Sequence, residues 1–168
     1  SCFVPKPYTP FQWFRQDSLE EFQRKQQLLK EHIRDRSIQF NYHDARVSFL
    51  EGVITRGDRR LSQVVYTAWK MGAKFDGWTD LFQYDTWLQA FEQCGIDPLY
   101  YNQRARSLAE PLPWEHTSPG VNKEFLLREY HHALQEKLTE DCRRGKCSAC
   151  GICPNLDAAV VDGGHKDV

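Results

Sequence analysis

The chain has 168 residues, with 22 Lys and Arg against 23 Asp and Glu, so its formal net charge is −1. This length suffices for one domain with its own core, and the charge gives no general argument for binding nucleic acid or an anionic membrane. No apolar run approaches a membrane span and no secretory signal opens the sequence, which predicts a cytoplasmic protein with no membrane partner.

The first segment combines a strand-like stretch with closely spaced prolines. Residues 2–4 are predicted as a short strand, and prolines at positions 5, 7 and 10 exclude a helix directly after it. A strand here without a partner hairpin suggests the last strand of a larger sheet, and hence a fragment with an exposed apolar patch around Phe11 and Trp13. The alternative is an ordinary N-terminal arm that these two aromatic residues tie down.

Two helices are predicted next. Ser18 and Glu21 have the spacing of a capping box, which predicts a helix over residues 18–36. Residues 38–42 alternate apolar and polar, which predicts a short strand. Asp44 is expected to cap the second helix.

A tight corner is predicted around Gly57 and Asp58, leading into a third helix over residues 59–71. Arg59 and Arg60 stand at its N-terminus, where the helix macrodipole disfavours cations. One hypothesis is that these arginines bind a carboxylate or phosphate of a ligand. The alternative is an ion pair with Glu51 or Asp58.

Three further residues are candidates for contact with substrate or cofactor. Asp76 and Trp78 belong to a compact aromatic loop, and we expect the arginine corner to share a cleft with one of them. His43 next to Asp44 is typical of either a proton-transfer pair or a helix cap and its neighbour.

The remaining pattern predicts a mainly α protein with five or six helices. Asp85 begins one helix, and Asp97 with Pro98 opens a short one. Residues 109–120 are too rich in proline and glycine to be helical. Asn122 is expected to cap a last long helix that reaches Thr139, with a core stripe that runs from Phe125 to Leu138.

The C-terminal part carries the most specific signal, four cysteines spaced C-x4-C-x2-C-x2-C. Thiolates are soft ligands for iron or zinc, and four of them complete one site. The short wrap followed by Pro154 favours an iron–sulfur cluster over zinc, although the spacing matches no standard signature of either. Two disulfides would require an oxidising compartment, which nothing else in the sequence suggests. The four predicted ligands are Cys142, Cys147, Cys150 and Cys153, and their sulfurs are expected to cluster even without metal. We also expect the last long helix to point its C-terminus at this loop, and the site's negative charge to be offset by Arg143, Arg144 and Lys146.

Several motifs in this order resemble one family closely, and the resemblance runs from residue 1 to about Cys153. The chain looks like the C-terminal part of an uncharacterised bacterial family of radical S-adenosylmethionine proteins that contain a cobalamin-binding domain. The motifs are residues 2–13, Leu50-Glu51-Gly52-Val53, Arg56-Gly57-Asp58-Arg59-Arg60, Phe75-Asp76-Gly77-Trp78, Leu112-Pro113-Trp114-Glu115 and the cysteine segment.

The resemblance implies an upstream cobalamin-binding-like domain and a partial TIM barrel whose [4Fe–4S] cluster sits on a C-x3-C-x2-C motif. This sequence lacks that motif, so the four cysteines cannot be the cluster that cleaves S-adenosylmethionine, and the chain is not expected to be catalytically competent alone. The implied division is residues 1–16 as the end of the barrel, 17–140 as a helical accessory region, 141–154 as a metal loop and 155–168 as a flexible tail.

Two functions follow as hypotheses. The first is an accessory part of a radical enzyme that closes the barrel and holds an auxiliary iron–sulfur cluster. In the full-length protein the cofactor would be S-adenosylmethionine, with cobalamin as a further candidate. The second is a zinc-stabilised helical module that binds another protein or RNA without catalysis. The sequence names no substrate; RNA is one candidate, although the net charge is near zero and no RNA-binding motif is present.

Overall fold

A computed structural model describes residues 2–159 of the chain, and this part is mainly helical. Seven helices occur in it, against the five or six predicted. They are α1 (Leu19–His32), α2 (Ala45–Thr55), α3 (Leu61–Lys70), α4 (Tyr84–Gln93), α5 (Leu99–Asn102), α6 (Lys123–Leu134) and α7 (Ile152–Leu156). None of the described helices is long and apolar enough to cross a membrane.

Neither predicted strand forms. Residues 2–4 and 38–42 are irregular, and residues 2–159 contain no strand. A strand is stable only when a neighbour takes up its backbone N–H and C=O groups, and no described segment offers such an edge.

The expected exposed patch around Trp13 is also wrong. Trp13 is only 2% exposed, and its carbonyl accepts a hydrogen bond from the backbone N–H of Arg106 at 2.9 Å. Trp13 is therefore packed within the described part of the chain.

The starts of α1 and α2 follow the predicted caps. Ser18 Oγ accepts from Glu21 N at 3.2 Å before α1, and Asp44 Oδ1 accepts from Arg46 N at 2.8 Å before α2. At the corner before α3, Asp58 Oδ1 accepts from Arg60 N at 3.0 Å, but the N-cap is Arg60 and no side chain caps this helix. These contacts satisfy N–H groups that lack partners within the helix, which is why short polar side chains mark helix starts in the sequence.

The chain divides into two compact units. In the described part, the first comprises residues 2–7 and 13–107, and the second comprises residues 8–12 and 108–159. The boundaries predicted at residues 16, 140 and 154 stay predictions.

The first unit has an apolar core formed chiefly by α2, α3 and α4. Buried residues of this core include Phe49, Val53, Leu61, Val64 and Phe91. Burial of such side chains is the main stabilising term for the unit, at about 1.5–3 kcal/mol each.

A buried amide pair ties α5 and the segment before α1 to this core. Gln16 Nε2 donates to the carbonyl of Ser48 at 2.7 Å, and Asn102 Nδ2 donates to Gln16 Oε1 at 3.0 Å. Gln16 is 1% exposed and Asn102 is fully buried. Because unpaired buried amides are costly, these bonds fix how the two segments meet α2.

The second unit is organised on α6, which ends earlier than predicted. Glu136 adopts the left-handed conformation with φ 55°, and Lys137 N donates to His132 O at 2.9 Å, closing the helix after Leu134. Leu126 is buried, but Leu138, predicted as part of the core stripe, is 97% exposed. Residues 155–159 of the predicted tail include the end of α7, and residues 160–168 lie outside the described part.

Candidate metal-binding loop

The four cysteines of residues 142–153 are free thiols. Cys142 and Cys147 are exposed, while Cys150 and Cys153 are half-buried. Neither of the two disulfides that the spacing left open is formed. Free Cys used only for packing belongs among the most buried residue types, so exposed thiols point to chemistry instead.

Tight backbone turns separate the last three thiols. Ala149 and Gly151 both have left-handed conformations, with φ 54° and 94°. Ala149 N donates a hydrogen bond to Cys147 Sγ at 3.4 Å. Such N–H···S contacts are among the means by which proteins tune sulfur-ligated clusters. Cys153 then lies in α7, where Pro154 is tolerated because it falls in the first helical turn.

The segment containing these turns docks on the N-terminal half of α6. Asn122 N donates to the carbonyl of Cys150 at 2.8 Å. Asn155 Nδ2 donates to Gly120 O at 2.8 Å and to Asn122 Oδ1 at 3.0 Å. An Arg128 guanidinium N–H donates to the carbonyl of Ser148.

The prediction that the C-terminus of the last long helix points at the cysteine loop is therefore wrong. After Glu136 the chain reverses, and Thr139 Oγ1 donates to Glu129 Oε2 at 2.7 Å. Residues 139, 148 and 150 contact Glu129, Arg128 and Asn122 in turn, which lie progressively closer to the start of α6. The segment from Ser148 to Asn155 consequently lies near the end of α6 where the macrodipole favours negative charge.

Two glycines permit this close docking. A Cβ atom at Gly151 would lie 2.5 Å from Asn122 Cγ, and a Cβ atom at Gly120 would lie 2.7 Å from Leu156 Cγ. Both glycines also have positive φ, which other L-residues adopt only with strain. Their positions in the sequence are thus explained by contact between the loop and the start of α6.

The four sulfurs do not form an assembled site. Among residues 2–159, no three or more side chains of His, Cys, Asp or Glu are grouped so that they could hold a metal ion. The expectation that the sulfurs cluster without metal is wrong. Its physical reason is that thiol side chains do not attract one another, and a bound cation supplies the bonds that draw the four sulfurs together. The donor set still fits iron or zinc chemically, with four thiols in one short segment.

Arg143 was expected to offset the negative charge of a tetrathiolate site, but it is engaged elsewhere. Its guanidinium holds Asp141, with Nε 2.9 Å from Oδ2 and Nη2 2.5 Å from Oδ2. Hydrogen bonding to Arg143 lowers the pKa of Asp141 to about 2. Asp141 and Arg143 flank Cys142 in the sequence and are paired with each other, while the thiol of Cys142 is exposed.

At the arginine corner, Arg60 forms an ion pair with Asp58, which was the alternative to ligand binding. Asp58 receives hydrogen bonds from Arg60 Nε at 3.0 Å and Nη2 at 2.7 Å. Those bonds, partly opposed by desolvation, hold the pKa of Asp58 below its usual value. Arg60 also lies 5.7 Å from the ring centroids of both Tyr100 and Tyr101 and helps line a cleft of about 220 Å³ with them.

The other candidates from the sequence are not gathered at this cleft. Neither Asp76 nor Trp78 lines it, and Trp78 is 64% exposed beside Phe75. Arg59 is exposed, and His43 lines a separate cavity with Glu51 and Lys6. No shared site for these residues is formed.

Sequence reasoning missed the residues that anchor the cysteine loop. Arg128 and Asn155 carried no local signal, because their partners are 20 and 35 residues away in the chain. Asn122 was recognised as a helix cap, but its side chain makes no cap hydrogen bond and accepts from Asn155 instead. The only indication in the sequence that the loop packs closely on the start of α6 was the glycine at each of positions 120 and 151.

A scan against protein-family models finds no match to this chain, and no curated protein or solved structure matches it. The relationship to radical S-adenosylmethionine proteins consequently stays a prediction from sequence motifs.

Proposed function

We propose that Cys142, Cys147, Cys150 and Cys153 bind one metal centre, a [4Fe–4S] cluster, and that the chain is an accessory region of a radical S-adenosylmethionine enzyme. The observation that carries the metal site is the docked segment from Cys147 to Asn155. Its backbone is fixed on α6 by Asn122 and Arg128, while its thiols remain free of disulfides.

The docking supports metal binding through entropy. Ordering one residue costs about 1–2 kcal/mol, so a loop already held by its backbone leaves less of that cost to be offset by the metal–sulfur bonds. Three of the four ligands lie in the docked segment. Cys142 belongs to the preceding turn, where Arg144 N and Gly145 N both donate to Asp141 O, at 2.9 and 3.0 Å.

The bound cluster would supply electron transfer or an iron that grips substrate. The chain's own residues hold the loop backbone, and the start of α6 favours the negative charge of the thiolates. The cofactors S-adenosylmethionine and cobalamin belong in this proposal to upstream domains, which the sequence resemblance implies.

Metal analysis after anaerobic reconstitution tests the site. The purified chain is incubated with iron and sulfide, or separately with zinc, and bound metal and sulfur-to-iron charge-transfer absorption are measured. We expect about four irons per chain for a [4Fe–4S] cluster. About one zinc and no iron chromophore would establish zinc as the resident metal and reject the cluster.

Cysteine variants assign the ligands. Replacement of each of the four cysteines by serine is expected to reduce bound metal strongly, since serine is a poor ligand for these soft metals. Cys94→Ser is the matched control, because Cys94 lies in the first unit with its sulfur 3.5 Å from Thr67 Oγ1. If all four loop variants keep full metal content, the proposal is wrong.

A second candidate, a zinc-stabilised interaction module for RNA or protein, is favoured by exposed aromatic pairs in the first unit. Tyr66 and Trp69 stack at 5.9 Å with rings 27° apart, and each is about half exposed. Lys70 Nζ lies 4.7 Å from the Tyr66 ring centroid. Stacked aromatic residues beside cations are typical of platforms for single-stranded nucleic acid.

Fluorescence polarisation with a single-stranded RNA oligonucleotide tests this candidate. Trp69→Ala is expected to weaken binding at least about fivefold, since one stacked base is worth about 1–3 kcal/mol. Trp87→Phe, a conservative change at a buried indole of the same unit, is the control. Equal binding by the Trp69 variant and the unmodified chain would reject RNA as the partner of this surface.

A further inference from the structure

A cavity of about 320 Å³ lies within the second unit, outside the residues that bind metal in the proposed function. It is lined by the turn at residues 8–12, the loop at residues 112–119 and the first residues of α6. This size is at the lower end of the range for small-molecule sites and suits a ligand of amino-acid size.

Polar contacts fix the turn that forms one wall. Gln12, 3% exposed, accepts at Oε1 from Tyr8 N at 3.1 Å and from Trp114 Nε1 at 2.8 Å. The Tyr8 hydroxyl lies 2.8 Å from the carbonyl of Thr117 and also contacts the carbonyl of Trp114.

Tyr8 reaches these partners from a left-handed backbone conformation, with φ 56°. For a residue other than glycine such a conformation costs on the order of 1–3 kcal/mol and persists where surrounding contacts determine it. Strained residues of this kind cluster at ligand sites. The wall is therefore rigid before any ligand enters, which lowers the entropic cost of binding.

The cavity combines an apolar surface with one charge of each sign. Leu112, Trp114 and Leu126 line it and are each less than a tenth exposed. Glu115 and Lys123 also line it, with Lys123 Nζ 2.5 Å from Glu115 Oε1. Their side chains are 35% and 40% exposed.

The position of Lys123 is not explained by helix stability. It is the first residue of α6, where the macrodipole disfavours a cation. Its ion pair with Glu115 is partly exposed, and such pairs contribute little to stability. A ligand that carries both charges can therefore replace the ion pair between Lys123 and Glu115 with contacts of its own, and little stability of the fold is lost.

We propose that this cavity binds a small zwitterion with an apolar side chain, the class of the free α-amino acids. The carboxylate of the ligand pairs with Lys123, its ammonium group pairs with Glu115, and its side chain packs on Trp114 and Leu126. Charge-assisted contacts at both ends select against molecules that carry only one of the two groups.

The proposal does not depend on metal binding, although the two sites share a stretch of chain. Val121 and Lys123 line the cavity, and Asn122 between them donates to the carbonyl of Cys150. The test uses metal-free protein, so a failure to bind amino acid leaves the metal proposal intact, and the reverse also holds.

NMR titration of the full chain with L-phenylalanine is the first experiment. We expect saturable shifts of the Trp114 indole N–H and of backbone amides at residues 115–123, with a Kd at or below about 1 mM. Binding of 2-phenylethylamine and of 3-phenylpropionate, which each lack one charge, should be at least about tenfold weaker. Absence of saturable shifts, or equal affinity for all three compounds, would overturn the proposal.

Variants then locate the carboxylate partner. Lys123→Met keeps the aliphatic stem and should weaken phenylalanine binding about tenfold or more, with little effect on 2-phenylethylamine. Lys137→Met, at an exposed position of the same unit, should bind as the unmodified chain does. If Lys123→Met binds phenylalanine normally, the proposal is wrong.

A second variant covers the event that Lys123→Met does not fold. Glu115→Gln removes the partner of the ammonium group and should selectively weaken phenylalanine and 2-phenylethylamine, each about tenfold, while sparing 3-phenylpropionate. Equal losses for all three compounds would indicate a general disturbance of the cavity and contradict the assigned contacts.

Discussion

At the level of single residues, Gly151 is a position where the cysteine loop tolerates little change. Its φ of 94° is strained for other L-residues, and a Cβ atom would lie 2.5 Å from Asn122 Cγ. Gly151→Ala should therefore displace the Asn122 side chain and weaken docking by about 1–3 kcal/mol. Hydrogen exchange at residues 147–156 should become faster.

Gly145→Ala is the matched control for this prediction. Its added Cβ would meet the carboxylate end of Glu140, 2.6 Å from Oε2, on an exposed side chain that can rotate away. Exchange in the docked segment should stay unchanged in this variant. If Gly151→Ala leaves exchange as slow as Gly145→Ala does, the loop is not held on α6 in the way described.

Asp58 gives a prediction about pH. Arg60 holds its pKa below the ordinary value of 3.8, so the charged form is favoured in the folded protein. A lowered pKa stabilises the fold above that ordinary value, and the contribution is lost as pH falls through the folded pKa. Asp58→Ala should cost about 1 kcal/mol at pH 7, the usual net worth of a hydrogen bond, and less at pH 3, which lies below the ordinary pKa of the carboxyl.

Denaturant unfolding at both pH values measures this difference in the free energy of unfolding. Asp80→Ala, a change at an exposed carboxyl in the same unit, should have little effect at either pH. A penalty for Asp58→Ala that is the same at pH 7 and pH 3 would show that charge at this corner is irrelevant to stability.

At the level of helices, Gly52 in α2 is a glycine whose replacement by alanine should destabilise the protein, the opposite of the usual effect in a helix. Alanine normally stabilises a helix interior by about 1 kcal/mol relative to glycine. Here the added Cβ would lie 2.6 Å from Gln16 Cδ, and the Gln16 amide is buried and bonded to Ser48 and Asn102.

Gly52→Ala should thus lower the free energy of unfolding by about 1–3 kcal/mol, because it forces Gln16 from its bonded position. Gly77→Ala, where nothing lies within 4 Å of the added Cβ, should not destabilise the protein. Stabilisation of the chain by Gly52→Ala would contradict the packing described for α2.

The helices that the sequence predicted well are those whose starts depend on neighbouring residues. Ser18, Asp44 and Asp58 each accept from an N–H only two or three residues away, so local pattern is sufficient. The end of α6 was misplaced because the apolar periodicity continues to Leu138, while the chain leaves the helix at Glu136. Periodicity reports which residues would share a face, and tertiary contacts decide where the helix stops.

At the scale of the whole molecule, non-local contacts account for most of what the sequence did not predict. The burial of Trp13 involves Arg106, and the docking of the cysteine loop involves Asn122 and Arg128. The spacing of four cysteines identified a candidate ligand set, but it carried no information about which end of α6 the loop contacts. It also gave no sign of the cavity between the turn at residues 8–12 and the loop at residues 112–119.

The proposed metal centre, held by the four thiolates of residues 142–153, can be tested directly. X-ray absorption at the edge of the bound metal, on the reconstituted full chain, counts its sulfur neighbours directly. For zinc we predict four sulfurs at about 2.3 Å. For the [4Fe–4S] cluster we predict an all-sulfur iron environment and iron–iron scattering, which Cys153→Ser alters. A metal surrounded mainly by nitrogen or oxygen, or a spectrum unchanged by Cys153→Ser, would contradict the account.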